Sequence, residues 1–345
     1  MIASGAHDPW LQKQLGGFLP FQQRWPWIGG DLQTLRDTIR PVRFPPDQGQ
    51  PVQIDVPAMA SGAAEAGQLL ALLDVPSGPP LGLVLLLHGL GGSSSREGLR
   101  RMGLAFQAAG FAVLRLNLRG ADPSRHLAGG TYAARCNSDL LPVIDRARAL
   151  ADGRPLLGAG ISLGGTMLLN ACLAQPGALD GLFCASSPLD LAACSASIER
   201  PRNRIYQRWL LQRLVRQTLA DPFGVSDKER TQLSGSLAPR TIRAFDSAVT
   251  APRWGFADVE AYYREASPLQ QLMRESDRLP PTLLLQALDD PWVPAASAQK
   301  LSAGLSDASP IRQTFSQHGG HNGFHGRGGC WGDQLAVRWL EHLVA

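Results

Sequence analysis

The stretch Pro155-Leu156-Leu157-Gly158-Ala159-Gly160-Ile161-Ser162-Leu163-Gly164-Gly165-Thr166-Met167-Leu168-Leu169 passes from an apolar strand pattern, through a serine flanked by glycines, into an apolar helical pattern. A serine presented as a nucleophile needs this context: a tight strand-to-helix turn with a strained backbone. Gly160 and Gly164, two before and two after Ser162, leave room where a Cβ would clash. The helix start then offers free N–H groups to developing negative charge. A glycine-rich turn that merely contains serine is the plainer alternative, and the strand–turn–helix setting argues against it.

A serine nucleophile needs a base, and the base needs an acid to orient it. Downstream, an apolar run at 283–288 ends in Asp289-Asp290-Pro291-Trp292-Val293-Pro294. A carboxylate directly after a strand lies at the carboxyl edge of a sheet, as Ser162 does. Asp289 and Asp290 compete for the role, and the position just before the Pro-x-Val-Pro turn favours Asp290. A further strand pattern, 311–315, leads into Ser316-Gln317-His318-Gly319-Gly320-His321-Asn322-Gly323-Phe324-His325. His321, after the Gly-Gly pair, is the candidate base. His318 and His325 read as neighbours without a catalytic role. A metal site built from the three histidines is disfavoured, because two glycines argue for a loop.

Upstream, His88-Gly89-Leu90-Gly91-Gly92-Ser93 follows the strand pattern 83–87. Acyl transfer needs two backbone donors for the oxyanion. One is expected from the residue after the nucleophile, Leu163, and the other from an earlier loop, with Leu90 the candidate. A phosphate-cradling reading fails because no Lys follows the glycines. His88 itself reads as structural.

Apolar strand patterns at 83–87, 111–116, 155–161, 181–186, 282–288 and 311–315 alternate with helical stripes such as Leu99, Met102, Phe106 and Ala109. Alternation of this kind predicts an α/β fold with a mostly parallel central sheet covered by helices on both faces. Strand patterns at 52–56 and 68–75 predict an antiparallel edge. Residues 188–270 carry no strand pattern and read as an inserted helical cap. Ser162 lies before that insertion, and Asp290 and His321 lie after it, so both flanks must form one sheet. The expected division is an irregular N-terminal arm at 1–50, a core at 51–187 and 271–345, and the cap at 188–270. Within the cap, 203–219 is amphipathic. Its expected apolar set is Ile205, Tyr206, Trp209, Leu210, Leu214 and Val215, opposed by Arg204, Arg208 and Arg216.

The 345 residues are 44% hydrophobic and 18% charged, which excludes a disordered chain. The net charge is +4 with no long run of like charge, so nucleic-acid binding is not expected. No apolar stretch is long enough to span a bilayer, and Met1 to Gln14 lacks the apolar core of a signal peptide. Five separated cysteines without a CxxC pair read as reduced, mostly buried thiols. Together these point to a cytoplasmic protein.

Several segments resemble one branch of the α/β-hydrolase superfamily, the YheT-like esterases, which also holds phospholipase-like hydrolases and yeast ethanol acyltransferases. They are Gly30-Asp31-Leu32-Gln33-Thr34-Leu35, His88-Gly89-Leu90-x-Gly, Arg115-Leu116-Asn117-Leu118-Arg119-Gly120, Ser162-Leu163-Gly164-Gly165, Arg202-Asn203-Arg204-x-Tyr206, Tyr262-Tyr263-x-x-x-Ser267 and Gly319-Gly320-His321-x-Gly-Phe. The resemblance implies Ser162 as nucleophile, Asp290 as acid and His321 as base. One departure is visible at Phe245-Asp246-Ser247, where the branch often carries a second acidic residue in place of Ser247. The expected reaction is ester hydrolysis through an acyl-enzyme, with no cofactor or metal and with a small-molecule or lipid ester as substrate. An acyltransferase or lipase using the same triad, and a relative that only binds ligand, are the alternatives. Arg204, Arg208, Arg213 and Arg216 could also carry peripheral contact with an anionic membrane, although a solvated face on a cap helix is the preferred reading.

Overall fold

The computed structural model describes Leu15, Gly17 and residues 19–345. The segment read for a signal peptide, Met1 to Gln14, lies outside the described residues. Eight strands form the central sheet: β1 (Gln50–Val56), β2 (Gly67–Asp74), β3 (Leu83–Leu87), β4 (Ala112–Leu116), β5 (Leu156–Ile161), β6 (Gly181–Ala185), β7 (Thr282–Ala287) and β8 (Ile311–Ser316). Their order is β1-β2-β4-β3-β5-β6-β7-β8. β2 runs antiparallel to both β1 and β4, and the remaining pairs are parallel. This is the mostly parallel, helix-covered sheet that the alternating pattern predicts, with the antiparallel edge at β1 and β2.

Side chains alternate across the sheet, and that period of two sorts the core into two layers. On one face Leu85, Leu87, Leu114, Leu156 and Leu182 pack under α3 (Asn137–Ala151) and α4 (Leu163–Ala174). On the other, Val84, Leu86, Val113, Leu157 and Phe183 meet α2 (Glu97–Ala108) and α11 (Trp331–Val344). Leu99, Met102 and Phe106 bury one stripe of α2, at the spacing that a helix requires. β3, β5 and β6 are buried along nearly their whole length, as expected of strands covered on both faces.

The chain between β6 and β7 is helical. It holds α5 (Leu191–Ile198), α6 (Arg204–Leu219), α7 (Asp227–Gln232), α8 (Val259–Ala266), α9 (Leu269–Arg274) and a continuous run from Ile242 to Arg253 whose middle, Asp246–Thr250, is a π-turn. Its own core comprises Ile198, Tyr206, Leu210, Leu211, Leu214, Ile242 and Phe245. The expected apolar set of α6 needs correction. Ile205 is 83% and Trp209 49% exposed, while Leu211 and Thr218 are buried. The inward face is therefore 206/210/211/214/218, rotated from the expected one. α10 (Ala296–Gly304) follows β7 and closes the sheet beside β8. The arm at 1–50 also differs from its irregular expectation: Gly30–Ile39 is a helix, α1, with Gln33 fully buried.

Candidate active site

Ser162 stands between β5 and α4 with φ 53° and ψ −126°. A residue with a Cβ holds such a backbone at a cost of about 1–3 kcal/mol, and such strain gathers at functional sites. Glycines make room for the turn. A Cβ on Gly160 would lie 2.4 Å from Gly165 N, one on Gly164 2.6 Å from Leu87 O, and one on Gly89 2.9 Å from the Ser162 Cβ. The loop after β3 therefore runs in contact with the serine.

His321 brings its Nε2 to 3.0 Å from Ser162 Oγ and its Nδ1 to 2.9 Å from Asp290 Oδ2. The Asp290 side chain is fully buried and that of His321 nearly so. Asp290 is held by its own turn. Its Oδ1 accepts hydrogen bonds from the N–H groups of Trp292 (2.8 Å) and Val293 (3.0 Å). The Trp292 ring lies 4.5 Å from the imidazole, centroid to centroid, and covers it. A hydroxyl, an imidazole and a carboxylate linked in this order can pass the serine proton to the ring while the carboxylate holds Nδ1–H.

Asp289 is turned elsewhere. Its Oδ1 accepts from Gly320 N at 2.9 Å, and its Oδ2 lies 3.3 Å from His318 Nδ1. It shapes the histidine loop rather than touching His321. His325 lies 3.4 Å from Asp37 and is held neutral by burial, its pKa lowered to about 4 despite that carboxylate. His88 is buried, and burial lowers its pKa to about 4 as well. Its Nδ1 lies 2.8 Å from Gly89 O, and its Nε2 accepts from Leu118 N at 3.3 Å, which sets one neutral tautomer.

Leu163 opens α4, where the N–H groups of the first turn have no partner within the helix. Leu90 lies on the loop that Gly89 presses against Ser162. Both line the cavity above the serine. The loop is pinned from three sides. Gly91 N donates to the Tyr132 hydroxyl (2.6 Å), Ser94 N donates to Asn117 Oδ1 (2.9 Å), and Arg115 Nη1 donates to Ser94 O (2.8 Å). Arg119 is locked beneath by a two-point bond to the buried Asp139.

Two residues of α1 complete the site, and sequence reasoning about the triad did not single them out. Thr34 Oγ1 accepts the His321 backbone N–H at 2.8 Å and donates to Gly30 O. Gln33 accepts from His325 N at 2.7 Å and donates to Trp27 O, also at 2.7 Å, and to His325 O. The contact is so close that a Cβ on Gly320 would stand 2.2 Å from Gly30 O. The signal was the Gly30-Asp31-Leu32-Gln33-Thr34-Leu35 segment itself.

The cavity over Ser162 has a volume of about 340 Å³. Its walls are largely apolar, with Leu90, Leu191, Ile198, Leu210 and Val293 among them. Among the described residues, no helix is long and apolar enough to cross a membrane.

A family profile described as "Serine aminopeptidase, S33" matches residues 78–325. The chain is 31% identical to "Putative esterase YheT" of Escherichia coli over 76% of its own length and 74% of that protein. It is 29% identical to "Phospholipase ABHD3" of Mus musculus over 70% of its length, and it spans only 58% of that relative. A "Medium-chain fatty acid ethyl ester synthase/esterase 2" of Saccharomyces cerevisiae is 29% identical, with 62% of this chain and 52% of that one covered. Among solved structures, the Paleococcus ferrophilus monoacylglycerol lipase superposes with a TM-score of 0.50 at 18% identity, covering 79% of this chain and 99% of that one. A 2,6-dihydroxy-pseudo-oxynicotine hydrolase gives 0.53 at 16% identity, covering 91% and 71%. The two structures bear on the fold alone.

Proposed function

Because the chain belongs to the serine aminopeptidase S33 family of α/β-hydrolases, with esterases and a phospholipase among its relatives, we propose that it is a serine esterase acting on short- to medium-chain or lipid-derived carboxylic esters. The observation that carries this reading is the unbroken line from Ser162 Oγ through His321 to Asp290, with steps of 3.0 and 2.9 Å. In the proposed reaction His321 takes the Ser162 proton as the oxygen attacks the ester carbonyl. The N–H groups of Leu90 and Leu163 hold the oxyanion. His321 then returns the proton to the departing alcohol, leaving an acyl-serine. Water, activated by the same imidazole, releases the acid. Asp290 keeps His321 in the tautomer that presents Nε2 to the serine. A fluorophosphonate probe should label Ser162, and labelling that fails while the chain is folded would leave only a ligand-binding role.

The name of the yeast relative supports a second reading, in which an alcohol rather than water takes the acyl group. Ethanol competing with water separates the two: a hydrolase gives mostly free acid, an acyltransferase mostly ethyl ester. The five free thiols, four of them buried, support the cytoplasmic setting. The exposed Ile205 and Trp209 beside Arg208 support peripheral contact of α6 with an anionic lipid surface.

A further inference from the structure

The cap places one carboxylate on the wall of the catalytic cavity. Asp246 lines that cavity together with Ser195, Tyr262 and Tyr263. It opens the π-turn Asp246–Thr250, a local irregularity that recurs at functional positions in helices. Two hydroxyls hold it: Thr250 Oγ1 donates to Oδ1 and the Tyr263 hydroxyl donates to Oδ2, each at 2.8 Å. A carboxylate accepts about four hydrogen bonds, so roughly half its capacity remains.

No cation among the described residues pairs with Asp246. Arg243, the nearest in sequence, lies over the Tyr263 ring at 5.6 Å and bonds Glu260 instead. The other groups around it are Ser195 of α5, 3.2 Å from the Tyr263 hydroxyl, and Cys194, Tyr262 and Tyr263. Burial raises the pKa of all three of those last groups, and the Asp246 charge raises it further. Burial lifts Asp246 itself to about 6, against the two hydroxyl bonds that lower it. At neutral pH this part of the wall thus holds a largely ionised carboxylate with no salt-bridge partner, while the cavity's arginines, Arg96 and Arg213, line it as well, Arg213 against Gly91 of the loop after β3. An asparagine could accept a hydroxyl bond without that cost. Beside Asp246 the local charge is negative, and the ligand property that matches it there is positive charge.

We propose that Asp246 is a specificity residue that selects esters whose acyl or alcohol part carries a cationic nitrogen. This rests on the esterase reading of the same site and adds the substrate class. An ammonium or quaternary ammonium group would occupy the free side of the carboxylate.

The test compares two pairs of probes on the intact protein. A choline ester is set against its uncharged 3,3-dimethylbutyl isostere, and an ω-aminoacyl p-nitrophenyl ester against the matching alkanoyl ester. The expected result is a kcat/KM ratio favouring the cationic member by about tenfold or more in at least one pair. Taking the ratio cancels pH effects on the chemistry that both esters share, so its fall toward unity below pH 6 reports Asp246. The ratio should also fall to near unity in Asp246→Asn and persist in Asp246→Glu. Equal turnover within both pairs in the wild-type protein would overturn the proposal, whether or not the variants fold. So would a cationic preference that Asp246→Asn leaves intact. Hydrolysis of the neutral esters without a cationic preference sinks this inference alone. Failure of all four esters, with Ser162 unlabelled, sinks the esterase reading and this inference with it.

Discussion

At the level of single residues, the triad positions were legible because each is announced by its own turn. Ser162, Asp290 and His321 all follow apolar strand runs, and glycine or proline marks each bend. Ser162→Ala should lower ester turnover by about 10⁴–10⁶-fold, read in a steady-state assay; near-normal activity would remove the nucleophile assignment. Thr34 was not legible in the same way, because it meets His321 from 287 positions away. It positions the histidine loop through the backbone. Thr34→Val should lower kcat by about fivefold to tenfold with little change in KM, the loss of one hydrogen bond. Thr34→Ser should restore it, whereas a general packing defect would not respond to the hydroxyl.

Elements show a different balance. Strand positions followed from composition alone, since β3, β5 and β6 have to be apolar throughout to lie between two helical layers. The face of α6 did not. A helix in a cap packs on other cap elements and on the cavity rather than on one sheet, so its pattern carries more than one direction. Ile205 is exposed beside Arg208, and the half-exposed Trp209 stands at the edge of the cavity over Ser162. If that strip meets lipid, Ile205→Glu combined with Arg208→Glu should abolish flotation with anionic vesicles while leaving soluble-ester hydrolysis in place. Flotation that does not occur in the parent protein would end the idea. Beneath the loop after β3, the motif Asn117-x-Arg119-Gly120 is a set of ties. Arg119 and Asp139 have side chains 0% and 3% exposed. Arg119→Leu would strand a buried carboxylate and should cost about 3–5 kcal/mol in urea unfolding.

For the molecule as a whole, strand order was the part that could not be read. Which strand neighbours which depends on how crossovers pass over the sheet, and the placement of β4 outside β3 leaves no mark in either strand. Stability against pH is a whole-molecule property that the buried histidines do predict. His88 and His325 are held near 4 in the folded chain, below the ordinary value of 6.5. As pH falls below 6.5 the unfolded chain takes up protons first, so stability is lost between about 6.5 and 4. The lowered carboxyls of Asp37 and Glu229 add losses of the same sign further down. Asp246, raised to about 6 from 3.8, and Glu97, also raised by burial, work the other way against the two histidines and the lowered carboxyls. The urea midpoint should therefore drop between pH 7 and pH 4.5. A flat profile would mean that the two imidazoles are not neutral and buried.

β6 and β7 hydrogen-bond to each other from Leu182 and Thr282 onward. The cap leaves at the carboxyl end of β6 and its chain returns at the amino end of β7, so both covalent connections lie on neighbouring strands. A segment attached in that way is a cassette. Lengthening, shortening or exchanging it leaves the register of every other strand alone. Over generations, the choice of substrate can drift through the cassette while the chemistry beneath it is inherited unchanged, and a chimaera carrying another relative's cap on these two strands is the natural way to transfer a preference between enzymes.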